Sequence, residues 1–148
     1  MYNTIFHTAV TANDSTAKEQ LGAIRWEYST TYGWRCYKYV QAASDTTVAN
    51  GTALAYTDYT RTVVSSDRDD TNANWIAGVG VGAITASYYG WIQIKGYHSV
   101  VATDAGDDIA IGDALILHAS TDGVVDCTAA GTAPVTAVLG WAYAADVD

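Results

Sequence analysis

Hydrophobic and polar residues alternate along several short stretches of the chain. Between positions 91 and 95, two isoleucines fall on one side of an extended chain and polar residues on the other, which is the period of two typical of a half-buried strand. Thr, Val, Tyr, Trp and Ile recur in similar stretches separated by Gly, Asp, Asn and Ser, and these residues favour strands. We predict ten strands, at residues 22–28, 34–41, 52–56, 62–65, 75–83, 91–95, 97–102, 113–119, 124–127 and 135–144. Ten short strands indicate an all-β sandwich or barrel.

Local patterns refine this prediction. Valines alternate with glycines at residues 77–83, so one face of that strand lacks side chains and another chain segment can approach it closely. Asp122-Gly123 lies between two apolar stretches and predicts a hairpin turn. Residues 14–22 begin with the capping residues Asp14 and Ser15 and end with Gly22, which predicts at most a helical turn or two.

Three landmarks occur twice in the same order, which predicts an internal pseudo-repeat. The matched pairs are Tyr32-Gly33-Trp34 with Tyr89-Gly90-Trp91, Gly51-Thr52-Ala53-Leu54 with Gly112-Asp113-Ala114-Leu115, and Val63-Val64 with Val124-Val125. The first pair is separated by 57 positions and the other two by 61. A looser match joins Gly78 to Gly140, 62 positions later. Each half would then supply the same strand unit, although coincidence in a chain rich in Gly, Ala and Val is the alternative.

Composition places the chain among folded single-domain proteins. Its 148 residues are 49% hydrophobic and 16% charged, which is long enough for a core and too apolar for a disordered tail. No apolar run reaches the roughly 20 residues of a membrane helix, and no secretory leader pattern is visible, so we expect no membrane partner. The net charge of −9 disfavours nucleic acid as a partner. We expect Cys36 and Cys127 to be reduced and buried, with a single disulfide as the alternative.

The sequence lacks the common patterns for catalysis, cofactors and metals. The glycines at residues 78–82 do not have the spacing of a dinucleotide-binding loop, and neither the P-loop nor the nucleophile-elbow pattern occurs. His7, His98 and His118 are isolated, which leaves a small hydrolase built on His98 or His118 as a remote hypothesis. Acidic clusters at residues 67–70 and 104–108 could hold Ca²⁺, but solvated loop charge is the preferred interpretation. We expect no enzyme activity, no cofactor and no metal.

Aromatic residues are the remaining unusual feature, with five Trp and eleven Tyr. Such side chains suit interfaces, since one end is apolar and the other can form hydrogen bonds. We expect Trp34 and Trp91, which recur in the repeat, to fill the core. The first dozen residues have few charges and no turn signals, as in an arm that is ordered by docking. Partner contacts are therefore predicted for Tyr2, Ile5 and Phe6.

The residue pattern of seven segments resembles that of the small capsid decoration, or cement, proteins of tailed bacteriophages. The segments are Leu21-Gly22-Ala23-Ile24-Arg25, Tyr37-Lys38-Tyr39-Val40-Gln41-Ala42, Ala49-Asn50-Gly51-Thr52-Ala53-Leu54, Ile76-Ala77-Gly78-Val79, Gly90-Trp91-Ile92-Gln93-Ile94-Lys95-Gly96, Ile111-Gly112-Asp113-Ala114-Leu115 and Val138-Leu139-Gly140-Trp141-Ala142. The resemblance covers residues 21–145 and implies a compact β-barrel or β-tulip-like domain with an extended N-terminal arm. We place the docking arm at residues 1–20 and the barrel domain at residues 21–148. The aromatic-rich stretch at residues 28–39 departs from the family pattern.

The resemblance also implies a function. Such proteins are virion structural proteins, synthesised in the host cytoplasm, that bind the outer surface of the assembled capsid and stabilise contacts between capsomers of the major capsid protein. They are homo-oligomers, with a trimer favoured here, and are not enzymes. The alternative is a head-fibre or tail-associated adhesin that binds surface glycans through exposed aromatic rings. Trp75 is the further partner-binding candidate, and its substitution would test the glycan hypothesis.

Overall fold

The protein is all-β and is built around a closed five-stranded barrel. The computed structural model describes residues 6–67, 75–104, 108–128 and 137–145, and contains no helix within them. The strands are β1 (Ile24–Ser29), β2 (Gly33–Ala42), β3 (Ala53–Tyr56), β4 (Val63–Ser65), β5 (Ile76–Gly80), β6 (Tyr89–Lys95), β7 (Ala114–Leu117), β8 (Val125–Thr128) and β9 (Gly140–Trp141). The barrel follows the order β2-β4-β3-β5-β6 and is closed by pairing of β6 with β2. A second sheet has the order β8-β7-β9.

Nine of the ten predicted strands overlap an observed strand, and the strand predicted at residues 97–102 is wrong. The chain leaves the sheet at Gly96, whose φ is +95°. The amide of Gln93 donates hydrogen bonds to the carbonyls of Gly96 and Tyr97, so this turn is held by a side chain of β6. The possible helical turn at residues 14–22 is also absent. Asp14 instead forms an antiparallel bridge with Tyr89, the first residue of β6.

Strand β2 is long enough to serve two parts of the fold. Its second half forms barrel wall: it pairs antiparallel with β6, and its last residues, Gln41 and Ala42, pair parallel with β4. Its first residues pair antiparallel with β1, from Gly33 opposite Ser29 to Lys38 opposite Ile24. Residues 33–35 lie beyond the pairing with β6, so the β1–β2 ribbon starts at the barrel wall and projects past it.

Three apolar clusters hold these parts together. One fills the barrel and includes Val40, Ala42, Val48, Leu54, Tyr56, Val64, Ala77, Ile84 and Ile92. A second joins the barrel to the second sheet through Ala53, Ala55, Ile109, Leu115, Leu117, Val125 and Ala142. The third lies on the outer wall of the barrel, where Tyr37, Tyr39 and Trp91 pack against Phe6, Val10 and Leu21. Strand β6 is consequently buried on both faces, since Ile92 points into the barrel and Trp91 into this outer cluster.

The glycines of β5 allow close backbone contact, as the sequence predicts. A Cβ at Gly78, where φ is +150°, would overlap the carbonyl oxygen of Gln93, and one at Gly80 would overlap that of Ala49. Both neighbours are backbone atoms, so a side chain would force the backbone to shift. A side chain at Gly78 would therefore separate β5 from β6, and one at Gly80 would displace the β2–β3 connection that contains Ala49.

The second sheet has strand registers that correspond to those of the barrel. Ala55 lies opposite Ser65 and Tyr56 opposite Val64 in the β3–β4 pair. In the β7–β8 pair, each corresponding contact is formed 61 positions later: Ile116 lies opposite Asp126, and Leu117 opposite Val125. Strand β9 pairs with β7 as β5 pairs with β3, with Gly140 and Gly78 in corresponding positions. The predicted turn at Asp122-Gly123 lies in the β7–β8 connection, where Gly123 has a φ of +75°.

Candidate binding surfaces

The segment that precedes β1 lies on the outer wall of the barrel. The Phe6 ring meets Trp91 edge to face, with 5.1 Å between ring centroids. The indole N–H of Trp91 donates a hydrogen bond of 2.9 Å to the Thr8 hydroxyl. The guanidinium of Arg25 donates a 2.7 Å bond to the Thr8 carbonyl and lies over the Phe6 ring. These contacts attach the segment to the chain's own domain.

A carboxylate and a glycine complete this attachment. Glu19 accepts hydrogen bonds from the N–H groups of His7 and Thr8, at 2.7 and 2.9 Å, and from the Thr8 hydroxyl. Burial acts to raise the pKa of Glu19, but these hydrogen bonds outweigh it and lower the pKa below its usual value. A Cβ at Gly90 would lie 2.7 Å from the carbonyl oxygen of Ala12. The backbone of the segment therefore lies directly on β6.

One face of the β1–β2 ribbon is apolar and exposed. Ile24, Trp26 and Tyr28 alternate along β1, and their residues are 46%, 54% and 63% exposed. Trp34 lies opposite Tyr28 across the ribbon and is 62% exposed, with 5.4 Å between the two ring centroids. We call this set the β1 face. The expectation that Trp34 fills the core is wrong, because the ribbon carries it beyond the barrel, whereas Trp91 is fully buried as expected.

A second exposed apolar surface covers one end of the second sheet. It consists of Tyr97, Val100, Ile111, Trp141 and Tyr143, and we call it the second-sheet patch. Ile111 and Trp141 are both 69% exposed, and Tyr143 is 78% exposed. The Tyr97 ring contacts that of Tyr143, with 5.6 Å between centroids. A cavity of about 330 Å³ beside them is lined by Val101, Ile109 and Leu115, among other residues.

The histidines form local contacts with turns. Nε2 of His98 lies 3.1 Å from the Gly80 carbonyl, and Nδ1 accepts from the Val100 N–H. Burial lowers the pKa of His98. Nδ1 of His118 accepts from the N–H groups of Ser120 and Thr121. Its Nε2 lies 3.5 Å from a carboxylate oxygen of Asp104. These rings thus hold the loops around the second sheet.

The candidate ligand sites fall partly outside the described residues. Positions 68–70 and 105–107 of the two acidic clusters are not among them. Within the residues that are described, no three His, Cys, Asp or Glu side chains are grouped so that they could hold a metal ion. No helix of this part of the chain is long and apolar enough to cross a membrane. Cys36 and Cys127 are not joined in a disulfide. Cys36 is buried as expected, whereas the expectation that Cys127 is buried is wrong, because its side chain is only half-buried at the edge of the second sheet.

The four partner-binding residues predicted from the sequence have different positions. Tyr2 and Ile5 lie outside the described residues. Phe6 is half-buried against Trp91, as described above. Trp75 is half-buried and packs against the cluster inside the barrel. Contact of these residues with a partner stays a prediction.

The exposed aromatic residues of the two surfaces were missed by the sequence reasoning. Alternation of apolar residues with Arg25 and Glu27 along β1 was a visible signal. In the structure the charged face, rather than the apolar one, is turned towards the N-terminal segment, where Arg25 binds the Thr8 carbonyl. Alternation alone shows that two faces differ but does not show which one is covered.

Comparison with known proteins yields no relative. No protein-family model matches the chain, no curated protein matches it, and no solved structure matches it. The class that the fold itself defines is an all-β protein with a closed five-stranded barrel.

Proposed function

We propose that this protein is a virion structural protein of a tailed bacteriophage that binds the outer surface of the assembled capsid. Its partner is the major capsid protein, and its role is to stabilise contacts between capsomers. The observation that carries this proposal is the second-sheet patch, where Ile111, Trp141 and Tyr143 are each more than two-thirds exposed. Contiguous exposed apolar groups on a folded domain mark protein–protein interaction sites. The sequence resemblance supplies the kind of partner.

The N-terminal arm is the second part of the proposal. Phe6 is fixed against Trp91, so the chain before it starts from a defined point on the barrel wall. We assign Tyr2, Ile5 and the exposed part of Phe6 to contacts with a neighbouring capsid subunit. Trp75, which is half-buried, keeps part of its surface for a similar contact. An arm that orders on its partner gains contact area at an entropic cost.

The proposed domain is a β-tulip-like barrel derived from two related halves. Two observations support a pseudo-repeat. The strand registers of β4-β3-β5 and β8-β7-β9 correspond at shifts of 61 and 62 positions. Gly51 and Gly112, which precede β3 and β7, have φ values of +90° and +92°. Repetition would give the molecule two sheets of the same design, of which the first is closed into the barrel.

The mechanism is thermodynamic. A protein that binds only the expanded shell lowers the free energy of that state by its binding free energy. Many copies act on one shell, so modest contacts for each copy sum to a large effect. The rigid barrel contributes by presenting the patch and the arm at fixed positions.

The experiment is co-sedimentation with purified expanded capsids of the phage that encodes the chain. We expect the parent protein to sediment with capsids, and the variant Trp141→Ala/Tyr143→Ala to lose most of its occupancy. Tyr59→Ala is the matched control, because Tyr59 is 84% exposed in the loop between β3 and β4. Equal occupancy of the patch variant and the control would refute the assignment of the patch. Failure of the parent to sediment, together with a clear glycan-array hit, would favour the adhesin alternative.

A further inference from the structure

Strand β1 ends its sheet with an unpaired edge. It pairs with β2 on one side, and no strand of the described residues lies on its other side. An edge strand presents alternate N–H and C=O groups to solvent and can pair with another chain. Folded proteins commonly protect such edges with charged side chains, proline or bulges. β1 has neither a proline nor a bulge. Its charged residues, Arg25 and Glu27, alternate with the exposed side chains of Ile24, Trp26 and Tyr28.

We propose that β1 pairs antiparallel with β1 of a second copy of this chain, about a two-fold axis at Trp26. In this register Trp26 lies opposite its own copy, Ile24 opposite Tyr28 and Arg25 opposite Glu27. The contact is isologous, since the same residues are used on both sides. It extends the β1–β2 ribbons of both chains into one continuous sheet.

Charge complementarity selects this register. Arg25 and Glu27 are the charged residues of β1, and within one chain they already form an ion pair. The proposed register places each Arg25 opposite a Glu27 of the other copy, so two pairs of opposite charges favour the contact. An axis at Glu27 would place the two Glu27 carboxylates opposite each other, and parallel in-register pairing would place Arg25 beside Arg25. Both of these alternatives bring like charges together.

The apolar side chains fit the same arrangement. Residues that lie directly opposite each other in an antiparallel pair point their side chains to the same face of the sheet. The β1 faces of the two copies therefore become continuous, and each Trp26 ring is covered in part by its counterpart. Trp34, opposite Tyr28 within each chain, extends this surface on both sides. Pairing thus reduces the exposure of the aromatic rings and also satisfies the unpaired backbone groups at the edge of β1.

This inference does not rest on the proposed function, because it uses the edge of β1, whereas the proposed function rests on Ile111, Trp141 and Tyr143 of the second-sheet patch. The two-fold contact joins chains in pairs and is compatible with a three-fold contact elsewhere on the molecule. It requires an even number of chains in every assembly formed in solution. A mass that corresponds to one or to three chains would therefore refute it.

Cysteine cross-linking tests the register. Directly opposite residues of an antiparallel pair have Cα atoms about 4.5–5.5 Å apart, within the range for a disulfide. Trp26→Cys should therefore give a cross-linked dimer under mild oxidation, above the level of the parent chain. Glu27→Cys is the matched control, because the two Glu27 positions are offset beyond the roughly 7 Å limit for a disulfide in this register. Equal cross-linking of both variants would refute an axis at Trp26.

Native mass of the full chain tests the contact itself. Trp26→Lys should halve the mass, because two lysines would then face each other across the edge. Tyr59→Lys introduces the same charge at a distant exposed position and should keep the parent mass. Circular dichroism of both variants shows whether the fold is retained. A parent monomer whose capsid occupancy falls in Trp26→Lys would assign β1 to the capsid protein and overturn the self-pairing.

Discussion

The hydroxyl of Thr8 connects the N-terminal segment to Trp91, a fully buried aromatic residue of the outer wall. It accepts the 2.9 Å hydrogen bond from the Trp91 indole and donates a 3.0 Å bond to Glu19. Thr8→Val removes both bonds, while valine keeps the branched shape of threonine. The substitution therefore isolates the hydroxyl from the packing of the side chain.

The structure sets the size of the effect. Trp91 has no exposed surface, so its N–H cannot turn to bulk water when the acceptor is removed. A buried donor left without a partner costs about 1–3 kcal/mol. Glu19 is only half-buried, so water can replace the bond that its carboxylate loses, and this part is small. We expect Thr8→Val to reduce the free energy of unfolding by about 2 kcal/mol.

Urea unfolding followed by tryptophan fluorescence measures this free energy. Thr47→Val is the control, because Thr47 is exposed and the same exchange there should change stability by less than about 0.5 kcal/mol. Limited proteolysis should also cleave the Thr8→Val variant sooner within the N-terminal segment. Equal midpoints for the two variants would show that the Trp91–Thr8 bond does not hold the segment on the barrel.

Three further predictions concern a carboxylate, two glycines and two thiols. Glu19→Gln should lower the urea midpoint at pH 7. The pKa of Glu19 in the folded state lies below its ordinary value of 4.5, so the stability that its carboxylate contributes is lost as the pH falls through the folded value, and the difference in midpoint between variant and parent should close below about pH 4.5. A difference in midpoint that stays constant at every pH would contradict this. Gly78→Ala should reduce the free energy of unfolding by about 3 kcal/mol, since its Cβ would overlap the Gln93 carbonyl. Gly140→Ala, which would meet nothing within 4 Å, should cost less than about 1 kcal/mol, so thermal unfolding that ranks them equally would exclude the steric explanation. In the native protein a thiol reagent should modify Cys127 well before Cys36. Cys36 is 2% exposed, and burial raises the pKa of its thiol despite the charge of Lys95. Modification of both thiols at the same rate would show that β2 opens readily.

Much of the fold was predictable because short-range patterns determine strands. Alternation, strand-forming residues and Gly-containing turns are local, and they located nine strands. The glycines of β5 predicted close backbone contact for a steric reason that does not depend on the partner. The error at residues 97–102 has a tertiary cause, since Val100 and Val101 favour strands, but Gln93 binds the turn and His98 binds Gly80, which removes the segment from the sheet.

The candidate surfaces were less predictable, and two tryptophans show why. Trp34 and Trp91 occupy matching positions in the two halves of the sequence, yet one is 62% exposed and the other fully buried. The difference arises because β2 extends beyond the barrel, whereas β6 is covered by the N-terminal segment. Phe6 likewise is an aromatic residue in a segment predicted to contact a partner, but only the three-dimensional structure reveals that Trp91 of the same chain packs against its ring.

The all-β class and the approximate strand positions followed from the amino-acid sequence, because they depend on residues that are close together along the backbone. Tertiary structure decided which strands close the barrel, which face of β1 is left exposed and where the N-terminal segment lies. Those outcomes depend on contacts between residues far apart in sequence, such as the bond between Thr8 and Trp91. The burial of a side chain is a property of what packs on it, and the pattern of its own strand does not contain that information.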